Sequence, residues 1–246
     1  MSKVCMITGA SRGIGKALAE QMAKKGYVLA LTGRSLESIR EVRDGIVASL
    51  PSAHVEVAAL DVTDYDQVFE VFEQFKQSLG NIDIVVANAG ISTSKPVGVG
   101  AFEQHRSVIE TNVLGLMATA EACIPYFKEQ DCGQFVAISS IAGLRGLPKN
   151  SSYCASKSAV KTYMESLSAE LYGTNIKTTT LFPGFIDTEI NQHLADRPFL
   201  VSLEQGVKEI FQLIEKQVKT SSVPRKPWSL VASIIGKMPE SVISRM

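Results

Sequence analysis

Short apolar runs rich in β-branched residues alternate along the chain with longer stretches whose apolar positions recur every three or four residues. The runs are Val4–Ile7, Val28–Thr32, Val55–Ala58, Ile82–Ala87, Phe135–Ile138 and Lys177–Leu181. Between them, Ile14–Lys25, Leu36–Leu50, Asp66–Leu79 and Glu103–Lys128 carry the one-sided periodicity of amphipathic helices. Strand and helix in alternation predict right-handed crossovers and a parallel sheet covered on both faces. The expected fold is therefore α/β: a doubly wound parallel sheet in a three-layer αβα sandwich. No repeat, low-complexity tract or linker interrupts it before residue 220. One domain is expected over 1–246, with 187–220 as a substrate lid with helices and 221–246 as a tail.

In such a sheet the ligand sits beyond the carboxyl ends of the strands, where strand order reverses. Polar and glycine-rich residues should then collect just after strand ends. They do so at Thr8–Gly15, Gly33–Arg34, Asp61, Asn88–Gly90, Ser139–Ser140 and Pro183–Gly184. One or two such places would be ordinary turns; six at the same edge point to a site.

The first strand runs into Thr8-Gly9-Ala10-Ser11-Arg12-Gly13-Ile14-Gly15 and a helix follows at once. Glycine lets backbone approach a pyrophosphate closely, and the helix start offers free N–H groups and the positive end of a dipole. The spacing is Gly-x-x-x-Gly-x-Gly; Leu18 stands where the more widespread Gly-x-Gly-x-x-Gly fingerprint has its third glycine. An enzyme using NAD places an acidic residue at the end of the second strand to hold the ribose hydroxyls. Here that strand ends Leu31-Thr32-Gly33-Arg34, without a carboxylate. Arg34, together with Arg12 in the loop, favours the 2′-phosphate of NADP(H), since guanidinium groups bind phosphate and a carboxylate would repel it. The alternative is that both arginines are solvated surface groups. Asp61 is placed to bind the adenine amino group.

Composition narrows the classes. The 246 residues are 45% apolar and 20% charged, with 25 basic against 25 acidic side chains and zero formal net charge. A nucleic-acid binder would need a basic surplus, so none is expected. The chain enters β-like sequence at Lys3, leaving no room for a signal peptide, and no apolar stretch approaches the roughly 20 residues of a membrane span. Cys5, Cys123, Cys132 and Cys154 form no C-x-x-C pair, which suits reduced thiols in a cytoplasmic protein without a metal site. His54, His105 and His193 have no evident partners and read as surface residues.

Ser151 and Ser152 are candidate caps for a helix running to about Tyr172 and stopping at Gly173. On it Tyr153 and Lys157 lie four residues apart and share a face; of six tyrosines, only Tyr153 has a lysine at that spacing. Such a pair can be a mere surface contact. Carbonyl reduction gives it chemical meaning, because it needs a proton donor opposite the hydride donor. A tyrosine with a pKa of about 10 is too basic to cycle near neutrality unless a neighbouring ammonium favours its phenolate. Ser140, ending the fifth strand, is placed to hydrogen-bond a carbonyl oxygen as it gains charge.

Thr8–Gly15, Asp61-Val62, Asn88-Ala89-Gly90, Asn112, Ser140, Tyr153-x-x-x-Lys157 and Pro183-Gly184 together resemble the short-chain dehydrogenase/reductase family, in its compact branch of roughly 250 residues with one Rossmann-like domain. The match in order and spacing runs from residue 3 to about residue 190. The resemblance implies that Tyr153 is the acid/base and that Ser140 orients the carbonyl. Lys157 would bind the nicotinamide ribose and lower the tyrosine pKa, and Asn112 would hold a water behind Lys157. It further implies cofactor contacts at Gly9, Ser11, Arg12, Gly13, Ile14, Gly15, Arg34, Asp61 and Val62. Asn88, Ala89 and Gly90 would line the cleft, and Pro183, Gly184, Ile186 and Thr188 would hold the carboxamide end.

Ile141, Leu144, Leu147, Phe185, Ile190 and Leu194 fall in loops that border the substrate cleft in that family, suggesting an apolar carbonyl or alcohol substrate; ordinary packing is the equal alternative. The end of the chain departs from the family's commonest pattern. After Val223-Pro224-Arg225-Lys226-Pro227-Trp228 come Leu230, Val231, Ile234, Ile235 and Met238, the spacing of a short helix with one apolar stripe between Lys226 and Lys237. That stripe would pack on the body or on a twin subunit, or make weak peripheral contact with a membrane. The usual tetramer is thereby in doubt, while a homodimer through the helices carrying Asn112 and Tyr153 is implied by the resemblance. The rival readings are a related epimerase or dehydratase, and an NADP(H)-binding sensor without turnover.

Overall fold

Each central strand is apolar on both sides because both of its faces are covered. In the computed structural model, which describes residues 2–192, 194 and 196–244, seven strands form one parallel sheet. They are β1 (Val4–Ile7), β2 (Val28–Gly33), β3 (Val55–Ala59), β4 (Ile84–Ala87), β5 (Gly133–Ile138), β6 (Ile176–Pro183) and β7 (Thr220–Val223), in the order β3-β2-β1-β4-β5-β6-β7. Alternation along a strand sends successive side chains to opposite layers. Met6, Val85, Phe135 and Ala137 face a core under α3 (Tyr65–Leu79), α5 (Gly115–Glu129) and α6 (Ser151–Glu170). Ile7, Leu31, Val86 and Val136 face the other, under α1 (Gly13–Ala23), α2 (Leu36–Ser49) and α7 (Leu203–Glu215). This is the three-layer, doubly wound sandwich expected, and all strands end at one edge. Strand order reverses between β1 and β4, which opens the crevice there.

Several features differ from the sequence reading. The strand β7 went unread because Thr-Ser-Ser-Val has no apolar run; an edge strand half open to solvent needs none. The stretch Glu103–Lys128 is α4 (Phe102–Ile109) and α5 joined through one π-helical turn, Glu110–Leu114, which carries Asn112. By length and composition this continuous run, Phe102–Glu129, could cross a membrane, with a mean hydropathy of 1.2 in its most apolar window; half of that window is buried.

Nor do Ser151 and Ser152 cap α6. Asn150 takes the capping position without a side-chain bond, and the Ser152 hydroxyl turns to His105 Nδ1, 2.8 Å away. His105 is therefore no plain surface residue: its Nε2 is buried without a partner. His54 is exposed beside Glu56, and His193 lies outside the described residues.

The tail helix, α8 (Arg225–Ile235), splits its apolar residues between two faces. Trp228 and Ile235 are buried, in one cluster with Val231, Ala232, Ile141, Phe182, Leu144, Leu147, Phe185, Met238 and with Ile243 of the last short helix, α9 (Glu240–Ile243). Leu230 and Ile234 remain exposed. Arg145 fastens this layer by donating to the Met238 carbonyl at 3.1 Å.

Candidate active site

The loop after β1 is shaped by what its glycines lack. Gly9 and Gly13 hold φ of 66° and 54°, in the left-handed region. A Cβ on Gly9 would stand 2.7 Å from the Ala89 Cα, and one on Gly15 would run into the Gly9 carbonyl and the Asn88 amide. The loop is thus drawn tight against the end of β4. Asn88 holds it there, its Nδ2 donating to the Thr8 and Gly9 carbonyls at 3.0 Å each. Thr8 Oγ1 answers by accepting from the Asn88 and Ala89 N–H groups at 3.1 Å each. Asn88, expected to line the cleft, has its amide committed to the loop.

Arg12 precedes α1 in an extended conformation and places no side-chain cap on it, and the first turn has no acid. The N–H groups there remain available to an anion. Ser11 packs into the space that Gly33 leaves at the end of β2. Beyond it, Arg34 is exposed, as is Arg12, and neither has an ion-pair partner among the described residues. Asp61 is partly engaged: one carboxylate oxygen accepts from the Thr63 N–H at 3.0 Å and hydroxyl at 2.8 Å. Val62 is buried against Gly115 at the start of α5. Beyond β6, Ile186 pairs with Val201, and the buried Thr188 donates to the Ile186 carbonyl at 3.3 Å. This arm passes over Gly13: a Cβ there would lie 3.7 Å from Thr188 Cγ2 and 3.5 Å from Glu189 Oε2. Ile14 sits partly buried at the first turn of α1.

At the ends of β4 and β5 the remaining residues converge. Lys157 is buried, and its Nζ donates to the Ile138 carbonyl at 2.9 Å and stands 5.8 Å from the centre of the Tyr153 ring. Gly90 leaves room for it: a Cβ there would lie 3.5 Å from that Nζ and 3.2 Å from Asn112 Oδ1. Asn112 is fixed on three sides. Its Oδ1 accepts from the Ile91 N–H at 2.8 Å, and its Nδ2 donates to the Ile91 carbonyl at 2.9 Å and to Ser156 Oγ at 3.0 Å. Ser140 begins the 3₁₀ turn Ile141–Leu144, accepting from the Ala142 N–H at 3.1 Å with its hydroxyl 3.4 Å from the Pro183 carbonyl. Its neighbour Ser139 is buried and donates to the Lys157 carbonyl at 2.9 Å, so it fastens β5 to α6.

Burial pushes the Lys157 ammonium down to about 8, because a buried cation loses hydration. Burial also pushes the Tyr153 phenol up, opposed by a hydrogen bond from the Ser140 hydroxyl. Within the polypeptide alone, then, the phenol is not lowered by Lys157, as the sequence reading had it. Desolvation is the largest influence on the phenol, and it raises it.

Of the apolar residues expected at the cleft, Ile141, Leu144, Leu147 and Phe185 come together in the cluster with Trp228. Ile190 is 41% exposed and stays outside it; Leu194 is only partly buried and is likewise not part of it. The sequence reading missed the supporting hydroxyls of Ser139 and Ser156 and the link from Ser152 to His105; no spacing marked them, since each depends on contacts between distant segments.

A doubly wound sheet with a glycine loop at its switch point and a Ser-Tyr-Lys cluster beside it defines a nucleotide-dependent oxidoreductase class. Residues 3–198 match the family model described as short chain dehydrogenase. An uncharacterized oxidoreductase of Mycobacterium tuberculosis is 33% identical over 241 residues, 98% of this chain and 95% of that protein. Another, of Myxococcus xanthus, is 34% identical over 229 residues, 93% and 88% of the two. Among solved structures, the alcohol dehydrogenase of the archaeon Thermococcus sibiricus, complexed with 5-hydroxy-NADP, superposes with a TM-score of 0.81 at 27% identity, covering 90% of this chain and 95% of its own. A short chain dehydrogenase/reductase of Burkholderia phymatum, in complex with NAD, shares the fold with a TM-score of 0.85 at 22% identity over 95% and 92% of the chains. The chain belongs to the short-chain dehydrogenase family, and it is an oxidoreductase.

Proposed function

We propose that the protein is an NADP(H)-dependent enzyme interconverting a carbonyl and an alcohol on a small, apolar substrate, with Tyr153 as acid/base. The observation that carries this is the meeting of Ser140, Tyr153 and Lys157 beside Gly90, at the sheet edge that also bears the glycine loop. A nicotinamide dinucleotide suits these residues: the start of α1 is uncapped, Gly9 and Gly13 keep the loop low, and Arg12 and Arg34 are free to meet a 2′-phosphate. When bound, that group supplies or accepts the hydride.

The protein's own residues do the rest. Ser140 holds the carbonyl oxygen by its hydroxyl, and Tyr153 gives that oxygen its proton, which a phenol kept protonated by burial is poised to do. Lys157 holds the ribose and, once its ammonium faces the phenolate left behind, steadies that charge. Asn112, its side chain pinned by Ile91 and Ser156, keeps the π turn next to Lys157 in place and would hold the relay water there. Twin subunits would pair through α4, α5 and α6, where Phe102 and Leu114 remain exposed, and the exposed Leu230 and Ile234 of the tail offer a weak peripheral membrane contact. Similar structures include complexes with NADP and with NAD, which supports a nicotinamide dinucleotide; the choice of NADP(H) rests on Arg12 and Arg34.

The test is NADPH oxidation over ketones of graded chain length, for the native chain and for Tyr153→Phe. Turnover should fall by about 10³-fold or more while NADPH affinity stays within a few-fold, as removal of an acid/base group requires. Retained turnover in the variant would overturn the assignment.

A further inference from the structure

Trp228 is the chain's sole tryptophan, and it is 5% exposed, yet its Nε1 is buried without a hydrogen-bond partner. A buried N–H is ordinarily satisfied, and one left alone calls for a reason. Its position supplies one. The pyrrole edge of the indole, Nε1 and Cε2, occupies the space a side chain at residue 184 would fill. Residue 184 is glycine, directly after Pro183, whose carbonyl lies 3.4 Å from the Ser140 hydroxyl. The unpaired donor therefore lies at the carboxyl end of β6, one residue from the group that meets Ser140.

The surroundings are apolar. Phe185 and Phe199 meet the indole edge-on, with ring centres 5.9 and 5.8 Å away. Phe199 keeps a φ of 56°, a left-handed conformation unfavourable for a bulky side chain; it is 56% exposed and meets the indole from the solvent side, two residues before Val201, which is bridged to Ile186. The Val201 N–H donates to the Phe185 carbonyl at 3.0 Å. The result is an aromatic wall containing one polar atom.

We infer that Trp228 is a specificity residue: its indole N–H donates to a second acceptor oxygen of the substrate, borne on an apolar body a few bonds from the reacting carbonyl. This rests on the carbonyl-reducing reading of the site. A keto ester or similar compound fits it better than a plain ketone, since a hydrocarbon would leave the donor unpaired.

The test uses pairs matched in length: ethyl acetoacetate against 2-heptanone, and ethyl benzoylacetate against 1-phenyl-1-hexanone. With a single tryptophan, the ¹H–¹⁵N spectrum has one indole resonance, observed as each ketone is added to the protein with NADP⁺. The keto esters should move it downfield and the plain ketones should barely move it. Trp228→Phe keeps a ring and removes the N–H; it should lower kcat/KM for the keto esters by about 10-fold and leave the plain ketones within about 2-fold. NADPH affinity should hold, while Tm should fall by a few degrees because the smaller ring leaves a cavity in a buried cluster. An indole resonance that moves alike for both kinds of ketone, or equal losses in the variant, overturns the inference. If NADPH binds and no ketone of either kind is reduced, the carbonyl reading of the site fails instead, and the indole shift still decides the role of Trp228 by itself.

Discussion

Asn88 illustrates how a residue beside a cofactor cleft can act through the fold. Its Nδ2 donates two hydrogen bonds of 3.0 Å, to the carbonyls of Thr8 and Gly9. Replacing it with Ala removes both. At about 0.5–1.5 kcal/mol per bond the loss is about 1–3 kcal/mol. A chain of this size loses about 2–4 °C of Tm per kcal/mol, so the expected drop is roughly 2–12 °C. Asn88→Asp is the sharper variant. It keeps the shape but turns a donor into a carboxylate facing two carbonyl oxygens, and it should be destabilised at least as much. Because Gly9 anchors the loop whose N–H groups would meet the pyrophosphate, NADPH should also bind several-fold more weakly in both. Thermal melts and NADPH fluorescence titration measure the two effects. Were Asn88 only a wall of the cleft, affinity would change with Tm intact; an Asp variant as stable as the native chain would refute the holding role.

Two other outcomes follow from the charged groups. Arg34→Asp should raise the NADPH dissociation constant by about 10- to 100-fold, the value of a charged hydrogen bond to phosphate, and shift preference towards NADH; unchanged relative affinities would mean that another group meets the phosphate. Lys157 keeps its proton up to about 10.5 when unfolded and to about 8 when buried, so between these values the unfolded state binds more protons and this group makes stability rise with pH, by roughly 3 kcal/mol in all. Melts of the native chain and of Lys157→Met from pH 7 to 10 isolate it from the buried thiols and Tyr153, whose raised values act oppositely; a Tm difference independent of pH would refute it.

The fold was largely legible along the chain because each central strand is apolar on both faces and each helix on one, so periodicity alone separates them. The exceptions share a cause. The strand β7 needs no apolar run at the sheet edge, and the π turn at Asn112 arises within an unbroken apolar helix pattern. At the site, the glycine loop and the Tyr-Lys pair are local in sequence and could be read directly. The roles of Thr8, Asn88, Ser139 and Ser156 could not, since each hydroxyl or amide meets a segment at least 18 residues away across the fold, apart from the short reach between Ser156 and its own helix.

By itself, then, the order of residues determined a doubly wound sheet, the place of its crevice, and the Ser140, Tyr153 and Lys157 that gather there, since these follow from spacing and from the chemistry of single side chains. Tertiary structure alone decided that Asn88 ties down the glycine loop, that burial raises the Tyr153 phenol and lowers Lys157, and that Trp228 closes on Gly184. Desolvation and close packing depend on which distant segments exclude water from one another, and no local pattern encodes that.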